Sequence, residues 1–594
     1  MSDYILPEPF SLLISIILSV GIHGFGLFII KHLFKYQFEN SYLKKSKLVF
    51  GYLIGYNVLI TTFYFFSIFT EKIIFLFIIT TIIIYFFAFK TISDFFYLPK
   101  NLNKYSFYFD KNNKFIYLIL CGFLLLSFGP ITNADSLDYH VGVAIKTLLN
   151  QKFSTDITWN TSTNASSGEV FIAFALFNGA EQLASITNFF AILSIAFIIL
   201  SFKNKIDPNI KFIVLLALSS PAIVSLVPTV KPQLIFIASN FLSFAILVEK
   251  NKLNYKSLSL PIFLIANAFV AKFSFIFSST LVFLLICLKF YKNYKYIIFI
   301  SIIVFIIIIL PHFYFKHTMY GTSIFEFLRY PVPISLDGYD GFYQHLRGGG
   351  PVYFPDNIFH PLKLSYYNEG LGIFFIILIP FIKNITKKNF SHLFLILLFF
   401  LPLFFMHKTM SRYFIEMTLF LSLLIIISED KLKINILSKS FIFFQYLVCI
   451  LIVTSSAIIF SYGSFNDKAK KKINSLFTFE YQMFEWSNNA LPENSILLSI
   501  PRSISLSLHE TYSLDFTRFT SGDRIHFWNK IKERKPQYIL SFNEMEKTEC
   551  IGDLFKYKKD VGFFTSRNVF QKKTSYSGYI YEFNYKNLPN CIIN

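Results

Sequence analysis

Asp135 and Asp138 stand three residues apart in the segment Asn133-Ala-Asp-Ser-Leu-Asp-Tyr-His140, where a long apolar run ends and a Ser/Thr/Asn-rich stretch opens. A carboxylate just outside a hydrocarbon span reaches a lipid-linked headgroup at the same depth, whereas one inside the span must be desolvated at high cost. Both residues are therefore candidates for proton abstraction or cation binding. Their spacing puts them on one face of a helix, and acidic residues at a helix start also serve as caps, so one of the pair has a structural explanation at hand. His140 follows as a proton carrier, a metal ligand or an interfacial polar residue.

The elements that must hold this segment are membrane helices. The chain has 594 residues, 54% hydrophobic and 15% charged, with a mean hydropathy of +0.53. That is too apolar for a soluble protein of this length. Met1 to Pro9 lacks the basic start of a removable signal, so the first apolar run is read as a retained helix. Runs long enough to cross a bilayer are expected near residues 10–31, 48–70, 73–89, 115–132, 186–202, 211–229, 232–248, 257–271, 273–289, 296–315, 371–386, 390–406, 412–428 and 440–461. The seven alternate loops that follow the odd-numbered runs are lysine-rich, which makes them cytoplasmic. The formal charge of +20 is thus topological, not a nucleic-acid footprint.

This reading gives a polytopic α-helical membrane protein of about fourteen transmembrane helices. Residues 1–114 carry three spans, residues 115–461 form the core with outward loops 133–185 and 316–370, and residues 462–594 form a small outward α/β domain. Segments 141–151 and 169–185 are too short or too polar to span and are expected to lie along the interface. In the tail, the strand-like runs 495–500 and 538–542 flank a helix-forming stretch at 523–534. Both termini fall on the outward face, the periplasmic side of a bacterial inner membrane. Cys550 and Cys591 lie in the tail and would suit a disulfide in an oxidising compartment. In loop 316–370, His345 and Arg347 beside Gly348-Gly-Gly are contact candidates. Lys231 and Lys272 interrupt apolar sequence, where lysines commonly snorkel or meet a substrate.

A run ending in Pro130, the Asp135-to-Tyr139 spacing, a helix ending in Leu-Leu-Asn-Gln, a second interfacial helix, many spans and an outward tail together resemble the GT-C superfamily. Within it the chain resembles the protein O-mannosyltransferase and aminoarabinose transferase-like group. His407-Lys-Thr-Met-Ser-Arg-Tyr413 is similar to the Arg-Tyr corner that opens a late helix there. The resemblance implies an inverting glycosyltransferase that uses a polyprenyl-phosphate sugar donor and a lipid, glycan or protein acceptor. Asp135 is then the general base, with Asp138 and His140 beside it, and Tyr139, Lys408, Arg412 and Tyr413 contact substrate. Some members hold a divalent metal, for which Asp135, Asp138 and His140 have suitable chemistry; no other cofactor is implied. An O-antigen-type polymerase or ligase, or a lipid-linked oligosaccharide flippase, is the alternative class.

Overall fold

The computed structural model describes residues 4–38, 41–96, 113–154, 165–202, 209–249, 255–272, 274–320, 370–382, 385, 387–405, 411–428, 434–513, 533–542, 551–562 and 573–583. His345, Arg347, Lys408, Cys550, Cys591 and most of the stretch 523–534 lie outside these residues.

Six described helices are long and apolar enough to cross a membrane: α1 (Phe10–His32), α2 (Gly51–Phe69), α3 (Ile73–Phe96), α7 (Leu183–Ser201), a long helix over Tyr291–Thr318 and α17 (Ile436–Tyr462). The expected fourteen are not found. The run at 211–229 is two short helices, α8 (Ile210–Leu218) and α9 (Pro221–Leu226), interrupted at Ser219-Ser220. The runs on either side of Lys272 are α11 (Ser259–Ala271) and α12 (Ser274–Lys289), of 13 and 16 residues, and Lys272 itself is extended. At 1.5 Å per residue such helices fall short of a roughly 30 Å hydrocarbon core. Hydropathy sums cannot see these breaks, because the residues around them are buried against protein. All but the last residue of α10 (Gln233–Val248) are buried, for example. By contrast α3 exposes Phe75, Ile82, Phe86 and Phe89, and the 291–318 helix, α13, exposes Ile298, Phe299 and Ile302. Apolar surface on that scale fits a multi-pass membrane protein.

The two segments expected along the interface are also corrected. In α6 (Ser167–Phe177) every residue up to Leu176 is buried, and α5 (Val141–Asn150) buries Val141 to Ala144, Thr147 and Leu148. Both are packed into the protein. Their apolar faces meet neighbouring helices, which periodicity alone does not distinguish from a lipid face.

Helices α1 and α2 cross at small residues. A β-carbon on Gly26 would lie 1.8 Å from the Gly51 carbonyl oxygen, and one on Gly55 would lie 2.3 Å from that of Ile22. Backbones approach this closely only where both faces lack side chains.

Three further helices, α14 (Phe374–Ile382), α15 (Lys387–Phe405) and α16 (Ile415–Ser428), precede α17. After it come α18 (Asp467–Phe477), α19 (Tyr481–Ala490) and a five-stranded open sheet in the order β2-β1-β3-β5-β4. Strands β1 (Ile496–Ser499), β2 (Glu510–Ser513) and β3 (Tyr538–Ser541) are parallel neighbours, and β5 (Lys573–Phe583) pairs antiparallel with β3 and β4 (Ile551–Gly562).

The sheet domain is fastened to the helices by buried charge. Lys470 of α18 bonds Glu8 at 3.0 Å and also pairs with Glu181, both carboxylates being fully buried. Glu181 accepts from the Ile131 amide at 2.8 Å, and Gln182 donates to Glu8 at 2.8 Å. Burial pulls the Lys470 ammonium down, but Glu181 and Glu8 outweigh it and hold Lys470 above its usual range. Removing one partner of such a set strands the others, at a cost of about 3–5 kcal/mol. Lys470→Met is expected to lower the unfolding temperature of the purified protein far more than Lys471→Met, whose partner Glu485 is at the surface.

Candidate functional site

The acidic segment is held by its own backbone before any substrate is considered. Asn133 Oδ1 accepts from the Ser136 amide at 3.0 Å and from its hydroxyl at 3.1 Å, and the chain then makes a wide π-helical turn over Ser136–His140 into α5. Such turns recur at functional sites because the extra residue redirects side chains. Gly129 lets the approach to this segment pack on the end of α17: a β-carbon there would sit 2.8 Å from Phe460 Cβ.

The loop carrying Lys231 is fixed independently. The Asn188 amide donates to the carbonyls of Leu226, Thr229 and Lys231 at 3.2, 2.7 and 3.2 Å. Lys231 Nζ then reaches Asp135 Oδ2 at 2.6 Å.

The third component comes from the sheet domain. Pro501-Arg502-Ser503 follows the carboxyl end of the parallel strand β1, the edge at which open α/β sheets commonly present functional groups. Arg502 Nε and Nη2 both donate to Asp138 Oδ2, at 2.9 and 2.6 Å, and Nη2 lies 3.2 Å from Asp135 Oδ1. Ser505 donates to the Leu137 carbonyl at 2.5 Å. Glu480 positions this loop by accepting from the Arg502 and Ser503 amides at 3.0 and 2.6 Å. It does so from a left-handed backbone, φ 71°, which a non-glycine residue adopts at a cost.

Lys231 and Arg502 thus close on Asp135, and Arg412 adds a further positive field. Lys231 first, then the two arginines, hold the Asp135 carboxyl well below the usual carboxylate range despite its desolvation. Asp135 stays ionised and is a weak base. The Arg412 guanidinium lies 5.5 Å over the Tyr413 ring, and both residues are half-buried.

His140 has different surroundings. Its Nδ1 is 2.6 Å from Glu169 Oε1, while Glu169 Oε2 accepts from the Ser166 amide in the capping box of α6. The Tyr139 ring packs on the imidazole at 3.9 Å between centroids. Burial, with help from Lys231 and Lys272, pushes His140 below its usual value although Glu169 opposes this. A neutral imidazole bonded to a carboxylate through Nδ1–H leaves its lone pair on Nε2. That Nε2 is buried and has no hydrogen-bond partner among the described residues. It is an orphan acceptor.

These contacts do not fit a shared metal on Asp135, Asp138 and His140. Both aspartates face cations, His140 gives Nδ1 to Glu169, and no cluster of three His, Cys, Asp or Glu residues suited to a metal occurs among the described residues. Sequence reasoning missed Arg502, Glu480 and the Glu169 partnership; the Pro-Arg pair directly after a strand was the available signal for the first.

A family model described as the DUF1420 N-terminal domain matches residues 66–466, and one described as the DUF1420 C-terminal domain matches residues 475–594. The chain belongs to the DUF1420 family. No curated protein matches it. In this DUF1420 chain the acidic segment lies within the first match and Arg502 within the second, so the ion pairs join the two matched regions.

Burial pushes the Glu480 carboxyl up to about 7, against the Ser503 and Arg502 amides that favour its ionised form. The folded protein therefore retains a proton that the unfolded chain loses above about 4.5, and stability falls as pH rises through that window. Glu480→Gln is expected to flatten this fall in a series of thermal unfolding curves between the two values.

Proposed function

We propose that this protein is a membrane glycosyltransferase that moves a sugar, with inversion, from a polyprenyl-phosphate donor to a lipid, glycan or protein acceptor at the periplasmic face of a bacterial inner membrane. The observation that carries the reading is the convergence of Lys231 and Arg502, from separate parts of the chain, on the acidic segment, with Arg412 adding to their field at Asp135. The leaving group of such a transfer is an anionic phosphate, and preorganised cations stabilise it most where water is excluded. Arg502 offers a forked guanidinium suited to phosphate oxygens, and Lys231 a point charge.

The proton acceptor in this reading is His140, in place of the Asp135 suggested by the sequence. A carboxylate neutralised by Lys231 and Arg502 attracts an acceptor proton poorly. His140 carries an available lone pair on Nε2 and is oriented by Glu169, the arrangement that general-base catalysis needs. Asp135 and Asp138 then hold the cations in register until the donor phosphate arrives.

The flippase alternative draws on one observation. Glu416 of α16 is buried among the helices, where Asn240 and Ser278 donate to it at 2.9 Å each. An ionisable group at such depth is a common transport element.

Turnover of polyprenyl-phosphate sugars in proteoliposomes tests these readings. His140→Gln is expected to lower kcat by roughly 10²–10⁴ with donor binding retained, and Arg502→Gln to weaken donor binding. The wild-type rate should rise through a pKa below 6.5 and be flat at neutral pH. A wild-type protein inert toward a panel of donors, with Glu416→Gln abolishing lipid translocation, would replace the transferase by the flippase.

A further inference from the structure

A second concentration of cations lies away from the carboxylate site. A cavity of about 670 Å³ opens between the first turns of α4 (Lys114–Ser127), α8 and α17, and Lys114, Lys211 and Lys439 line it. The three ammonium groups rest on aromatic faces: Lys114 is 5.2 Å from the Phe115 centroid, while Lys211 and Lys439 share Phe212 at 5.6 and 5.4 Å. Among the described residues no carboxylate lies within 4.0 Å of any of them. Three like charges gathered on one cavity favour the entry of an anion.

The rest of the lining says what kind of anion. Phe115, Phe443 and Ile436 are exposed apolar groups beside the lysines, which suits a ligand with a charged head and a hydrocarbon tail. Asn113 is buried, and its Oδ1 has no hydrogen-bond partner among the described residues, leaving an acceptor for a headgroup hydroxyl. Helices α4 and α17 both run from this cavity toward the acidic segment. Helix α4 ends at Ser127, about 20 Å away along its axis, shortly before Asp135, and α17 ends where Phe460 packs on Gly129. The cavity therefore lies at the opposite end of α4 and α17 from the candidate site.

We propose that this cavity binds an anionic glycerophospholipid, with the phosphate diester on Lys114, Lys211 and Lys439 and an acyl chain along Phe115 and Phe443. Basic pockets between membrane helices are suited to such headgroups. The bound lipid ties together the starts of three helices, two of which end at the candidate site.

Native mass spectrometry of the full chain, released from vesicles of phosphatidylglycerol and phosphatidylcholine in equal amounts, tests this. The wild type is expected to retain phosphatidylglycerol about tenfold over phosphatidylcholine. Lys114→Gln/Lys211→Gln/Lys439→Gln should abolish that preference, and the corresponding triple Arg variant should keep it. Equal retention by the wild type, or an undiminished preference in a folded Gln variant, would overturn the proposal. So would displacement of the lipid by millimolar inorganic phosphate, which would mark a site for the free anion. If the Gln variant does not fold, the wild-type comparison alone decides.

Discussion

A carboxylate as buried as Asp138 needs a charged partner, and the partner here, Arg502, is 364 residues away in the chain. Leaving the Asp138 carboxylate buried without it would cost several kcal/mol, whereas the Arg502 side chain keeps 42% of its surface in solvent. The pair therefore ties the fold of the acidic segment to the docking of the sheet domain. Lys231 completes the set by occupying the opposite oxygen of Asp135. The same logic recurs at Lys470, which meets two carboxylates from the helical part of the molecule. Two ion-paired clusters thus join the same two regions, one at the candidate site and one beside it.

This arrangement separates two electrostatic tasks that the sequence alone assigns to one motif. Asp135 and Asp138 are matched to cations, and those cations hold Asp135 well below the usual carboxylate range. His140 is removed from that pairing by Glu169 and by burial, and it stays neutral. Neighbouring residues whose environments drive their titrations apart are the usual means by which one site holds both a fixed charge and a mobile proton.

The acidic segment was legible because its composition and position at the end of an apolar run are local properties. So were strands β1 and β3, which fall in the apolar runs at 495–500 and 538–542. The number of spans was not legible. Apolar residues that line protein and those that line lipid have the same hydropathy, and the breaks at Ser219-Ser220 and Lys272 do not lower it enough to register. Helices α5 and α6 were misplaced for the same reason. Arg502, Glu169 and Glu480 could not be assigned from spacing, since their partners are set by tertiary contacts across tens to hundreds of residues. Lys231 stood out in the sequence as a charge in an apolar run, yet only the Asn188 clamp on its loop explains where it points.

The central claim is that Arg502 completes the acidic segment across the join between the two matched regions. A double-mutant cycle on the thermal stability of the full chain, with Asp138→Asn, Arg502→Gln and the combination, tests it most directly. The account predicts strong non-additivity, with the double variant little worse than Asp138→Asn alone and a coupling of about 1–3 kcal/mol. Strictly additive losses would contradict it, because they would mean that the two residues stabilise the protein through separate partners.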